Sequence, residues 1–134
     1  MSVKPFLDTN ILVYAFSSDD PRTNIAESLI ANGGLVSIQV LNEFVNVSRQ
    51  KLLRDWGEIE AALDVLNSLL DPPRPLTLEI HRAAINLARD FNYHFYDGLI
   101  LAAAIQAGCS ILYTEDLRHG QIIAGLTIRN PFIE

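Results

Sequence analysis

Four carboxylates interrupt apolar sequence in this 134-residue chain, at positions where they could do chemistry. Asp8 follows "FL", which has the pattern of the end of a buried strand, and Glu43 lies within "VLNEFVNV", in the middle of a predicted helix. Asp97 opens "DGLILAAAI", and Asp116 follows "SILYTE". In open α/β sheets ligands gather at the carboxyl ends of strands. Asp8 and Asp116 are predicted to occupy such ends.

Taken singly, most of these acids have an ordinary structural explanation. Asp8 and Asp97 are suited to be helix N-caps, a position that favours aspartate. Asp116 is suited to an Asx turn. Glu43 is harder to explain in this way, because its neighbours on the helix face are apolar and a buried lone carboxylate is costly. Capping alone therefore leaves at least one acid unexplained.

Taken together, the acids predict a cation site. Carboxylates that share a crevice repel one another, and this repulsion raises the pKa values of some of them. A divalent cation removes the repulsion, and hard oxygen ligands suit Mg²⁺ or Mn²⁺. Such a cation lowers the pKa of bound water and holds phosphate oxygens, which favours attack of hydroxide on a phosphodiester. No cysteine or histidine set has the spacing of a structural zinc site.

The elements that must position these acids alternate between short strands and helices. "ILVYAF" fits strand or helix. "DDPR" predicts a helix start with Asp20 as N-cap and Pro21 at the first helical position. Thr77 is a candidate cap for the helix that follows "DPPRP". The predicted strands are "VKPFL", "LVSI", "LTL", "SILYT" and "LTIR", and the predicted helices are "TNIAESLIA", "QVLNEFVNVSRQKLL", "EIEAALDVLNSLL", the helix after Thr77 and "DGLILAAAIQAG".

This alternation predicts the α/β class, as an open three-layer α/β/α sandwich around a central, mostly parallel sheet. The length fits one domain spanning residues 1–134, and a content of 49% hydrophobic and 19% charged residues indicates a compact fold. The helix pair from about residue 48 to residue 70 is predicted to be an insertion on that plan. The net charge of −6 argues weakly against a basic nucleic-acid clamp.

The compartment predicted from the sequence is the cytoplasm. Cys109 is the only cysteine, so no internal disulfide can form. The first residues lack the apolar core of a signal peptide, and the longest apolar run, "LILAAAI", is too short to span a bilayer. No membrane association is expected.

Four motifs in this order resemble the PIN-domain family, and within it the VapC-type toxin ribonucleases: "LDTNILVYA", "NEF", "YDGLILAAA" and "LYTEDLRHGQ…LTIRNPF". The resemblance covers nearly the whole chain and implies a PIN-like fold and metal-dependent cleavage of single-stranded RNA. It also implies a homodimer and an inhibitory antitoxin protein. The implied Mg²⁺- or Mn²⁺-binding acids are Asp8, Glu43, Asp97 and Asp116. The polar residues of the same motifs, expected to steady an acid or a metal-bound water, are Thr9, Asn10 and Thr114.

Other residues near these motifs are candidates for RNA contact. Arg118 and His119 follow the fourth acid and could bind phosphates, although a solvated turn is an equally good interpretation. Tyr93, Phe95 and Tyr96 precede Asp97 and could stack on bases, but core packing is the more common role of aromatic side chains.

Four other functions fit the sequence less well. An aspartyl-phosphate phosphatase of the haloacid-dehalogenase type wants a second aspartate where this chain has Asn10, and a receiver domain wants a lysine after a late strand, where neither Lys4 nor Lys51 lies. A dinucleotide-binding domain would need a glycine-rich turn after a strand, and none is present. A non-catalytic PIN-like scaffold that binds RNA or protein remains the main alternative.

Overall fold

A four-stranded mixed sheet organises the computed structural model, which describes residues 3–133. The strands are β1 (Phe6–Leu7), β2 (Ile111–Tyr113), β3 (Ile122–Ile123) and β4 (Leu126–Arg129), in the spatial order β1-β2-β4-β3. The pairs β1–β2 and β2–β4 are parallel, and β3 runs antiparallel to β4. The predicted α/β class and the mostly parallel sheet are confirmed.

Six helices within residues 3–133 pack with this sheet. Their N-caps are mostly polar side chains that accept a backbone N–H, as the sequence predicts for Asp8 and Thr77. The ambiguous segment "ILVYAF" is helical up to Ala15, and Phe16 is the C-cap of the first helix. The helices are α1 (Thr9–Ala15), α2 (Thr23–Ala31), α3 (Ile38–Gln50), α4 (Trp56–Leu69), α5 (Leu78–Phe91) and α6 (Phe95–Gln106).

The predicted start of α2 is wrong. The helix begins at Thr23 with Arg22 as its N-cap, not with Asp20 as cap and Pro21 as first residue. The Asp20 carboxylate instead accepts hydrogen bonds from the backbone N–H and the guanidinium of Arg22. This local pairing occupies the side chain that would otherwise cap the helix.

Two predicted strands are also corrected. "LVSI" forms only single parallel bridges, from Leu35 to Phe6 and from Ser37 to Arg74, and α3 already begins at Ile38. "LTL" is not a strand, because Thr77 caps α5 and Leu78 is its first residue. In both segments the demand of the next helix for an N-cap ends the extended run.

The core is continuous from the sheet to α6, whose central residues are buried on all sides. Gly98 lies where α6 crosses α5. A Cβ placed on it would come within 2.6 Å of the Ala84 carbonyl oxygen. The absence of a side chain therefore permits the close approach that holds the neighbouring Asp97 in place. No helix in residues 3–133 has the length and apolar character needed to cross a membrane.

Candidate active site

Asp8 lies between the end of β1 and the start of α1, where both of its oxygens accept hydrogen bonds. Oδ1 caps the helix by accepting from the Thr9 backbone N–H at 2.6 Å, and Oδ2 accepts from the Thr114 hydroxyl at 2.7 Å. The contact with Thr114 exists because β1 pairs directly with β2, which places residues 106 positions apart side by side. The cap explanation of Asp8 is thus correct for Oδ1, while Oδ2 joins the carboxylate to Thr114 and the segment after β2.

Glu43 is held from both sides by neutral donors. The Thr9 hydroxyl donates to Oε1 at 3.1 Å, and the Gln39 side-chain amide donates to Oε2 at 3.0 Å. Gln39 lies one helical turn before Glu43 on α3, so the two side chains share a face. Thr9 therefore links the acid of α3 to the segment that carries Asp8.

Asn10 connects the start of α1 to the segment after β2. Its amide nitrogen donates to the Thr114 hydroxyl and to Asp116 Oδ2, both at 3.2 Å, and its carbonyl oxygen accepts from the Glu115 backbone N–H at 3.2 Å. The Thr114 hydroxyl also accepts from the Asp116 backbone N–H at 3.1 Å. The three polar residues singled out by the motifs are thus all hydrogen-bonded to acids of the site.

Asp97 reaches the same crevice from α6. It lies in the first turn of this helix and is not its N-cap, a position occupied by His94. Partial burial raises the pKa of Asp97, and the charge of Asp116 raises it further, while His94 acts in the opposite direction. The acids of α6 and of the segment after β2 therefore influence each other electrostatically.

Asp8 has the most perturbed carboxyl of the four. Burial raises its pKa from 3.8 to about 7, partly offset by the hydrogen bonds from Thr114 and Thr9. The charges of Glu43 and Asp116 raise this pKa further. A buried acid with like charges nearby is a typical feature of functional sites.

Two adjoining cavities give Glu43, Asp97 and Asp116 access to solvent, while Asp8 lies buried behind Thr9 and Thr114. One, of about 600 Å³, is lined by Glu43 and Asp97 among others; the second, of about 270 Å³, is lined by Asp116, Lys51 and again Glu43. We treat them as one groove, the acidic groove, because Glu43 and Val47 line both.

The carboxylates of the acidic groove are suitable ligands for a hard divalent cation, but they lie too far apart to coordinate one together. Carboxylate oxygens are the ligands that Mg²⁺ and Mn²⁺ prefer. Burial is the main cause of the raised pKa of Asp8, the charges of Glu43 and Asp116 add to it, and a nearby cation would favour the charged carboxylate. Within residues 3–133, however, no three Asp, Glu, His or Cys side chains are grouped closely enough to hold a metal ion.

A family model described as "PIN domain" matches residues 6–123. The chain belongs to the PIN domain family. This confirms the resemblance inferred from the four motifs, and it agrees with the mixed α/β fold described above. No curated protein matches the chain significantly.

Solved structures with the same fold come from toxin–antitoxin systems. VapC20 of Mycobacterium tuberculosis, described as a toxin that cleaves the sarcin–ricin loop, superposes with a TM-score of 0.69 at 22% identity over 83% of this chain and 88% of its own. VapBC2 of Rickettsia felis, bound to a promoter DNA fragment, has a TM-score of 0.67 at 23% identity, covering 93% and 96%. A toxin–antitoxin complex of Klebsiella pneumoniae has a TM-score of 0.72 at 21% identity, covering 96% and 98%.

Sequence reasoning missed several groups that surround the acids of this PIN domain. Gln39 could have been found from its spacing of four residues before Glu43. Lys51, for which the sequence analysis proposed no role in the site, lines the acidic groove. Glu115 accepts hydrogen bonds from the Tyr14 hydroxyl and from the Arg22 guanidinium. Nothing in the sequence signals this last cluster, because its members are about 100 positions apart.

Arg118 and His119, the candidate RNA contacts, make local contacts. The Arg118 guanidinium lies over the Tyr93 ring, 4.8 Å from its centroid. His119 Nδ1 accepts a hydrogen bond from the Asn130 backbone N–H at 2.9 Å. Neither side chain lines the two cavities that form the acidic groove. Both remain exposed.

Proposed function

We propose that this PIN domain, with residues 1–134 as one unit, is a metal-dependent endoribonuclease that cleaves single-stranded regions of RNA. The observation that carries the proposal is the set of hydrogen bonds from Thr9, Asn10 and Thr114 to Asp8, Glu43 and Asp116. These bonds join carboxylates from distant parts of the chain into one polar network, and two of them, Glu43 and Asp116, line the acidic groove. Membership of the PIN family supports nuclease chemistry as the use of this arrangement.

The residues of the chain have distinct roles in this proposal. Thr114 holds the orientation of Asp8, Thr9 and Gln39 hold Glu43, and Asn10 holds Asp116. Side chains held by hydrogen bonds lose less conformational entropy when a ligand binds than free ones do. Asp97 adds a fourth acid from α6 and lines the same cavity as Glu43.

The cofactor of the proposed reaction is Mg²⁺ or Mn²⁺. When bound, such a cation lowers the pKa of a coordinated water and neutralises charge on phosphate oxygens. The residues that would hold it are Asp8, Glu43, Asp97 and Asp116. Since their side chains are not grouped closely enough as they stand, we expect binding to draw some of them together.

Cleavage of RNA by the purified chain and by Asp97→Asn tests the proposal. Unstructured and structured RNA would be incubated with each protein in Mg²⁺, in Mn²⁺ and with a chelator. We expect cleavage only with metal, and a loss on the order of 100-fold or more in Asp97→Asn. Asp64→Asn, an exposed acid of α4, is the matched control and should cleave as the wild type does.

Wild-type turnover by Asp97→Asn would refute the assignment of the site. Cleavage that continues in chelator would refute the metal. Metal binding is measured separately by titration calorimetry on the wild type and on Asp8→Asn, so that a failure to cut a given RNA is distinguished from a failure to bind the cofactor.

We further propose that the chain is the toxin of a toxin–antitoxin pair in the cytoplasm, acting as a homodimer and neutralised by an antitoxin protein. The similar folds of toxins and of toxin–antitoxin complexes support this role. Expression in a bacterial host should arrest growth for the wild type and not for Asp97→Asn. Light scattering on the purified protein measures the dimer, and a monomeric mass would refute it.

A non-catalytic PIN-like scaffold is the second candidate function. The observation that favours it is the spacing of the acids, since no three of the relevant side chains in residues 3–133 are grouped for a metal. Binding of RNA without binding of Mg²⁺ or Mn²⁺ would support the scaffold, whereas tight metal binding that depends on Asp8 would exclude it.

A further inference from the structure

The part of the acidic groove next to Asp97 combines an exposed aromatic ring with a row of side-chain amides. Tyr96 is 62% exposed, although it belongs to the first turn of α6, one of the most buried helices of the fold. It lines the 600 Å³ cavity together with Asn42 and Asn46, and with Glu43 and Asp97. An aromatic face, hydrogen-bonding amides and the proposed catalytic acids therefore meet in one cavity.

The Tyr96 ring packs against a second aromatic side chain. Phe95 packs against it in an edge-on arrangement, with the ring centroids 5.7 Å apart, and Phe95 in turn packs on His81 of α5 at 5.3 Å. Phe95 itself belongs to the packing around the core. Of the aromatic residues before Asp97, the sequence expectation of core packing thus describes Phe95, while Tyr96 faces the groove.

The two asparagines present their amides from one face of α3. They are four residues apart, which places them one turn apart on the helix. Both are exposed, and within residues 3–133 neither side chain forms a hydrogen bond. Gln39, by contrast, donates a hydrogen bond from its amide to Glu43. Asn42 and Asn46 thus keep donors and acceptors available for a ligand.

We infer that this cavity is a subsite for one unpaired nucleobase, which stacks on Tyr96 and presents its edge to Asn42 and Asn46. Single-stranded RNA is recognised in this way, by stacking on aromatic side chains and hydrogen bonding along base edges. Carboxamides suit base edges because each carries both a donor and an acceptor. The inference rests on the proposed ribonuclease function and adds to it the residues that select the base beside the cut.

The position of the subsite limits which nucleotide it holds. Glu43 and Asp97 line the same cavity, and Glu43 also lines the neighbouring cavity that contains Asp116 and Lys51. When a base stacks on Tyr96, the sugar and phosphate of the same nucleotide therefore lie next to these acids. The subsite would recognise a nucleotide adjacent to the scissile phosphate.

Binding of short RNAs to an inactive protein tests the subsite apart from cleavage. All variants are made in the Asp97→Asn background, and the probes are fluorescein-labelled eight-residue oligomers of uridine or adenosine. A matched abasic oligomer has the same ribose–phosphate chain. Fluorescence anisotropy gives Kd for each pair of protein and probe.

Tyr96→Ala should weaken binding of the uridine or adenosine oligomer roughly tenfold, and Tyr96→Phe should bind nearly as the parent does, because stacking needs only the ring. The abasic oligomer should bind parent and Tyr96→Ala equally. Trp56→Ala, which removes an aromatic residue of similar exposure from α4, is the control and should change nothing. Equal weakening of base-containing and abasic probes would overturn the inference, because it would indicate loss of fold or of backbone contacts.

Asn42→Ala and Asn46→Ala should alter the preference between the uridine and adenosine oligomers, while Asn67→Ala, an exposed asparagine of α4, should not. Unchanged RNA affinity in Tyr96→Ala would overturn the subsite and indicate another role for the exposed ring, such as a protein contact. In active protein, Tyr96→Ala should raise KM for RNA with little change in kcat. If neither the Asp97→Asn parent nor the wild type binds RNA, both inferences fail. If the parent binds RNA and the wild type cuts it, but Tyr96→Ala binds as the parent does, only the subsite fails.

Discussion

Asp8 combines nearly complete burial, at 5% exposure, with a carboxyl whose pKa is raised to about 7. The same aspartate caps α1 and contacts Thr114, so it serves folding and site at once. The hydrogen bonds from Thr9 and Thr114 favour the charged carboxylate, whereas burial and the acidic neighbours disfavour it. Stability is therefore expected to depend on the protonation of this one group.

Asp8→Asn should change the free energy of unfolding by an amount that depends on pH. Relative to the wild type, the variant should be more favoured at pH 8 than at pH 4. Because the pKa is raised in the folded state, the folded protein retains a proton that the unfolded chain releases above pH 3.8. This group therefore costs stability progressively as the pH rises from about 4 to about 7. Asparagine stays neutral at every pH. Between pH 4 and pH 8 the free energy of unfolding of the variant should therefore rise by about 2–4 kcal/mol relative to that of the wild type.

Urea unfolding of metal-free protein at a series of pH values measures this difference. Asp64→Asn is the control and should follow the wild-type pH profile. Parallel profiles for wild type and Asp8→Asn would contradict the raised pKa. Adding Mg²⁺ at pH 8 should raise the melting temperature of the wild type and leave that of Asp8→Asn nearly unchanged, because the cation stabilises the charged carboxylate.

The pair α5–α6 positions Asp97 through close backbone packing. Gly98 faces Ala84 of α5, and a Cβ there would lie 2.6 Å from a backbone oxygen that belongs to a regular helix. A backbone atom cannot rotate away as a side chain does. The helix that carries the acid is therefore placed by a glycine, and not by interactions of the acid itself.

Gly98→Ala should lower the free energy of unfolding by about 1–3 kcal/mol, since overpacking forces the two helices apart. Because Asp97 is the preceding residue, cleavage should fall even at temperatures where the variant is folded. Gly57→Ala is the matched control. Its nearest contact would be 3.4 Å, and alanine is the better helix former, so stability should stay the same or rise by up to about 1 kcal/mol. Wild-type stability and activity in Gly98→Ala would show that α5 and α6 adjust freely.

The molecule as a whole carries a net charge of −6, which opposes binding of RNA at long range. Favourable charge near the acids is therefore expected to come from particular residues. Lys51, at the C-terminal end of α3, lines the cavity that contains Asp116 and Glu43. The only other lysine, Lys4, pairs with Asp71 at 2.9 Å and lines neither cavity of the acidic groove.

Lys51→Gln should weaken RNA binding about equally for all base sequences, because a lysine at this place contacts phosphate and not base edges. The slope of log affinity against log salt should fall by about 0.7, the value for one phosphate contact on a single strand. Lys4→Gln should change neither quantity. A change confined to one base sequence would show that Lys51 reads bases, and no change would remove it from the binding surface.

The sequence by itself determined the features that depend on neighbours along the chain. It predicted most of the helices, the capping of α1 by Asp8 and of α5 by Thr77, and strands β2 and β4, because side-chain periodicity and capping act over a few residues. The motifs in their order also identified the family. The start of α2 was missed because Asp20 pairs with Arg22, a local competition that composition does not reveal.

Only the tertiary structure decided which groups meet. The strand order β1-β2-β4-β3 joins Asp8 to Thr114, and Asn10 to Asp116, across more than 100 residues. The same packing brought Lys51 to the acids and left Tyr96 facing the groove. The short strand β3 exists only through its antiparallel pairing with β4. These features depend on the balance of burial and hydrogen bonding over the whole fold, which no local pattern in the sequence records.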